Sequence, residues 1–110
     1  MEISNYKEEN YNIIEVQGDL DASSAVKLDN EIKALFERNE INIFIDCKNL
    51  NYIASAGLGV FMSYIQEIEA KEINFKLYNM SDKILDVFKI LGLDTLLNIC
   101  ETKAEVIQTV

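Results

Sequence analysis

Histidine and proline are both absent from this 110-residue chain, cysteine occurs twice and glycine only four times. General acid–base chemistry near neutral pH most often uses histidine, so such an enzyme would need a carboxylate or lysine retuned by burial, and no convergent pair of that kind is recognisable. Zinc-type spacing goes with it. Cys47 and Cys100 stand far apart, and each is expected to be a small buried hydrophobe. No catalytic residue, metal site or cofactor is therefore expected. No proline-rich, repeated or low-complexity stretch marks a linker, and 110 residues make one core rather than two, so residues 1–110 are expected to form a single domain. No apolar run approaches the ~20 residues that cross a bilayer, and "MEISNYKEEN" has no basic region leading into a hydrophobic one. The expectation is a cytoplasmic protein with no membrane insertion.

Ten basic residues against nineteen acidic ones leave a net charge of -9, which opposes direct binding to nucleic acid and is compatible with a basic partner surface. Hydrophobic residues make up 49% of the chain, enough for a folded core rather than a disordered tail.

Periodicity orders the elements. "EISNYK" and "YNIIEVQG" read as a hairpin across "EEN", the second strand carrying the β-branched Ile13, Ile14 and Val16. Ala25, Leu28, Ile32, Leu35 and Phe36 then recur at helical intervals, with Ser23 or Ser24 available as a cap. "INIFID" is a short apolar strand, and "CKNLNYIAS" reads as a loop into a second helix with Leu58, Phe61, Met62 and Ile65 on one face. "INFKLYN" is a strand. Ser81 can cap a helix lined by Ile84, Val87, Phe88 and Leu91 that stops near Gly92, and "TLLNI" is a last strand. Thr102 and Glu105 fit a capping box for a short terminal helix. Repeated strand–helix–strand units favour parallel pairing. The fold expected is α/β, a mixed but mostly parallel sheet of about five strands with about four helices.

"NYIASAGLGVF", residues 51–61, carries the most chemistry. Its "GLG" is too short for a dinucleotide fingerprint, and no phosphate loop is present. Ser55 lacks a histidine to activate it, and Ile53 occupies the first glycine position of a nucleophile elbow, so a serine hydrolase is not expected. The simplest reading makes Ser55 the N-cap of a helix. Gly57 and Gly59 each cost about 1 kcal/mol relative to alanine in a helix. Either they pack the helix start against its own sheet, or they let another backbone approach. A helix N-terminus tolerates a phosphate on Ser55, and its charge of about -1.5 to -2 would spoil an apolar contact around the glycines.

"GDLD" at 18–21 and "ASAGLGVF" at 54–61 resemble, in order and spacing, the two motifs of the STAS domains, the anti-sigma factor antagonist family. The resemblance runs over essentially the whole chain. It implies a non-catalytic bacterial regulator that binds a serine-kinase anti-sigma factor and so releases a sigma factor. It also implies that the kinase phosphorylates Ser55 and that a phosphatase reverses this. Asp21 matches the family's aspartate near the phosphoacceptor; its plain alternative is a helix cap. Ala54 stands where the signature usually has aspartate and Ala56 where it has serine or threonine, which leaves room for a member that binds without being switched. The expected partner surface comprises Asp21, Ala54, Ser55, Ala56, Gly57, Leu58, Gly59 and, on the outward side of the helix, Val60, Ser63 and Tyr64. The alternative function is a STAS subunit of an ABC-type membrane transport assembly, or another non-catalytic binding module.

Overall fold

The computed structural model describes all 110 residues. Strands β1 (Glu2–Glu8) and β2 (Tyr11–Leu20) form the expected antiparallel hairpin, Glu8 facing Tyr11 across a two-residue turn. Four more strands follow: β3 (Asn42–Asp46), β4 (Leu50–Ile53), β5 (Asn74–Tyr78) and β6 (Asn98–Cys100). The sheet runs β1-β2-β3-β5-β6, and every pair but β1 with β2 is parallel. Helices α1 (Ala22–Glu37), α2 (Ser55–Ser63), α3 (Ile65–Ala70), α4 (Asp82–Ile90) and α5 (Lys103–Ile107) make the connections and the C-terminus.

The odd strand is β4. It also pairs parallel with β2, but beyond β3: β2 binds β3 along Asn12–Glu15 and then β4 along Gly18–Leu20. The register shifts at Gly18, whose φ of +98° suits glycine and whose N–H donates to Asn49 O at 2.9 Å. "LNYI" was expected to be loop; it is a strand because Leu50 and Ile53 turn inward while Asn51 and Tyr52 face solvent.

Alternation along β2 sends Ile14 and Val16 to one face and Tyr11 and Ile13 to the other. The first face meets Leu28, Ile32 and Leu35 of α1, Leu58 and Phe61 of α2, and Ile84 and Phe88 of α4 in the main core. The second joins Phe44 and Tyr78 under Val106 of the short α5. Burying side chains of this size is worth about 1.5–3 kcal/mol each, which is what holds marginal helices of nine residues in place.

Four expectations need correction. The second helix breaks at Tyr64 into α2 and α3. The 3-10 turn Leu93–Thr95 takes up the start of "TLLNI", so β6 begins only at Asn98. Met62 and Leu91 are 50% and 56% exposed, because α2 and α4 end within a residue or two and carry both side chains off the core stripe. Cys47 is buried, but Cys100 only half so. Gly92 does end α4 in the left-handed region, at φ +71°, and Ser81 Oγ accepts from Ile84 N–H as its cap.

Candidate functional site

The bulge at Gly18 brings the two motifs together. Because β4 runs beside the end of β2, Ala54 N–H donates to Leu20 O at 2.9 Å, and "GDLD" and "ASAGLG" become neighbouring strand-to-helix turns at the C-terminal ends of β2 and β4. One turn opens α1 and the other opens α2.

Asp21 is the N-cap of α1, the plain alternative for that residue, in place of Ser23 or Ser24. Its Oδ1 accepts from Ser24 N–H at 3.0 Å and from Ser23 Oγ at 2.9 Å, while Ser24 Oγ accepts from Asp21 N–H at 2.9 Å, a reciprocal capping box. The Ser24 amide, then the Ser23 and Ser24 hydroxyls, pull the Asp21 carboxyl down from 3.8 to about 2. Its charge is thus fixed in place at the head of α1.

The second turn is built differently. Ala54, not Ser55, occupies the N-cap of α2, with extended φ and ψ of -87° and 169° and no side-chain hydrogen bond. Ser55 is the first helical residue and is exposed. Its hydroxyl is therefore not tied up in capping, which corrects the simplest reading of the sequence, and it stands open to solvent beside a helix start that has no side-chain cap.

The two glycines separate. A Cβ on Gly57 would stand 2.7 Å from Leu20 Cγ and 3.0 Å from Ile53 Cγ1, so Gly57 serves close packing of α2 on β2 and β4. A Cβ on Gly59 would meet nothing within 4 Å. Gly57 and Leu58 are buried, whereas Ala56 and Gly59 are exposed.

Ala22, Ala25, Val26 and Asp29 of α1 face Ala56, Gly59, Val60 and Ser63 of α2 across a shallow groove of about 390 Å³. Each set repeats at i, i+3, i+4 and i+7, so each is one stripe of its helix. Val26, 60% exposed, was not singled out in the sequence; its signal was an apolar residue beside, rather than within, the core stripe of α1. Tyr64 does not belong to the outward side. It is 7% exposed, its ring lies 5.0 Å from that of Phe36, and its Oη donates to Asp29 Oδ1 at 2.7 Å. Burial and the Asp29 carboxylate push its phenol up. A larger depression, about 490 Å³, lies between α4 and the end of β6 and contains none of these residues.

The STAS domain profile matches residues 2–106. The chain belongs to the STAS domain family. This STAS domain is 28% identical over 90 residues to the anti-sigma-B factor antagonist of Listeria monocytogenes, a match spanning 82% of this chain and 79% of that protein. Its fold is shared with an anti-sigma factor antagonist from Mycobacterium paratuberculosis, at a TM-score of 0.89 and 18% identity over 99% of this chain and 92% of that one. The phosphorylated form of the Bacillus cell fate determinant SpoIIAA has it too, at a TM-score of 0.75 and 21% identity over 98% of each chain. No helix of this STAS domain is long and apolar enough to cross a membrane.

Proposed function

We propose that this STAS domain is an anti-sigma factor antagonist: it binds a serine-kinase anti-sigma factor, so releasing a sigma factor, and is itself a substrate rather than a catalyst. Docking uses the exposed stripe of α2 and its α1 neighbour, centred on Ala56, Gly59 and Val60, and is switched off by phosphorylation of Ser55 and restored by a phosphatase. The observation that carries this reading is the exposed Ser55 hydroxyl, free of any capping bond, at the head of a small-residue groove. A kinase can reach it, and a dianion there would lie in the contact. The names of the sequence relatives support the pathway, and a neighbour solved in a phosphorylated form supports the switch.

The magnitude is adequate. A thousandfold loss of affinity needs about 4 kcal/mol, within what a doubly charged group costs in an apolar contact. Affinity capture with the full chain, followed by mass spectrometry, is expected to recover a kinase of this type and a fraction phosphorylated at Ser55. Titration calorimetry with that kinase is expected to give wild-type affinity for Ser55→Ala and strongly weakened binding for Ser55→Asp. Equal affinities would remove the switch, and recovery of an ATPase and a permease in place of the kinase would move the domain to a transport assembly.

A further inference from the structure

Tyr64 was expected to touch the partner, and the structure buries it instead. It is the residue at which α2 stops and α3 starts, with φ -98° and ψ -6°. Just before it, Ser63 Oγ donates back to Val60 O at 2.6 Å, a bond that competes with the helical ladder and helps end α2 there. From this break the Tyr64 side chain reaches across to α1, packing on Phe36 and donating to Asp29. The Asp29 carbonyl oxygen, 3.2 Å away, is a second acceptor.

The Tyr64 hydroxyl makes the only side-chain hydrogen bonds that join α1 to α2 or to its terminal break, both of them to Asp29. The groove walls do not supply another: Ala22, Ala25, Val26, Ala56, Gly59 and Val60 are too small or too apolar to bridge it, and the Ser63 hydroxyl is turned back to Val60 O while Asp29 is the acceptor already described. Leu28 and Phe61 hold both helices down on the sheet, but non-directional apolar contact sets depth better than angle. A charge-assisted hydrogen bond between half-buried and buried partners fixes direction as well.

We infer that Tyr64, through Asp29, is a positioning residue that fixes α2 against α1 and so sets the shape of the groove between them. The functional half of this rests on the proposal that the groove is the docking surface; the positioning half does not. Tyr64→Phe keeps the ring on Phe36 and removes only the hydroxyl, and Asp29→Ala removes the charged acceptor but leaves the backbone carbonyl.

Amide hydrogen exchange, read by NMR on the full chain, tests the positioning half without any partner. Tyr64→Phe is expected to speed exchange across Gly59–Ser63 about tenfold, the loss of one hydrogen bond to a charged group, while Ile43 and Ile45 in β3 keep their rates. Asp29→Ala is expected to speed exchange in α2 less, because the hydroxyl keeps the Asp29 backbone carbonyl as an acceptor, and the double variant to match Tyr64→Phe alone, since one contact is lost only once. Unchanged rates in α2, or equal acceleration in α2 and β3, would overturn it. With the kinase recovered by capture on the wild-type chain, Tyr64→Phe is expected to bind about tenfold more weakly. Val106→Ala, which destabilises the far face of the sheet, is expected to bind as wild type. Wild-type affinity for Tyr64→Phe would overturn the functional half. Failure to recover a kinase would count against the antagonist reading alone, and the exchange rates would still decide the positioning.

Discussion

Two glycines two residues apart, on opposite sides of α2, do opposite work, and alanine separates them. At Gly57 the added methyl meets Leu20 and Ile53, both buried, so they must shift inside a packed core. Overpacking of that kind costs about 1–3 kcal/mol, and the helix-propensity gain of up to about 1 kcal/mol offsets only part of it. Gly57→Ala is therefore expected to lose about 1–2 kcal/mol in urea unfolding. At Gly59 the methyl meets nothing, so only the propensity gain remains, and Gly59→Ala is expected to unfold later than wild type. If a partner backbone comes close at Gly59, that more stable variant binds the kinase more weakly; equal binding would show the position is not in the contact. The sequence showed both glycines and left their roles undivided, because the difference lies in what stands opposite each one, Leu20 or open solvent. For Ser55 and Tyr64 the same holds. A serine at a helix mouth and a tyrosine on a helix edge were legible, but a one-residue offset made Ala54 the cap, and the break after Ser63 turned Tyr64 inward.

Periodic elements were readable and short ones were not. The stripe from Ala25 to Phe36 fixed α1, and the β-branched run in β2 fixed the hairpin, since both span enough residues for a period to show. β4 has four residues with only Leu50 and Ile53 inward, and what makes it a strand is the shift at Gly18 that frees the end of β2 to pair again. Helix α1 owes its start to Asp21, and this gives a pH signature. The carboxyl titrates near 2 in the folded chain against 3.8 ordinarily, so its contribution is complete above about pH 4 and is lost as pH falls toward 2. Asp21→Asn keeps an acceptor but no charge. Thermal melts of the two proteins are expected to show wild type more stable by a constant margin from neutral pH down to about pH 4, closing between pH 4 and pH 2. A margin that persists at pH 2 would mean the ionised form of Asp21 is not what holds the cap.

Over the whole molecule the excess of acid dominates the electrostatics. Ion pairing does little to relieve a net charge of -9: Lys7 with Glu40, Lys71 with Glu67 and Lys103 with Glu8 use three of ten basic side chains and three of nineteen acidic ones. The lysines of these pairs are 40–57% exposed, and pairs of that kind contribute about 0–1 kcal/mol each. Salt acts on both terms. It weakens the three pairs, and it screens the repulsion among all the remaining carboxylates, whose summed effect opposes the compact state. Within a molecule 24–30 Å across, many like charges lie more than one Debye length apart at 0.5 M salt but not at 0.02 M, so the repulsive sum is relieved in that range. The second effect involves more groups and is expected to win. Melting at 0.02 M and 0.5 M sodium chloride should then show a higher Tm in the concentrated salt, by roughly 4 °C if about 1 kcal/mol of repulsion is removed. A Tm that falls instead would mean that the three pairs outweigh the excess carboxylates, and that the acidic surface is better compensated than its charge count implies.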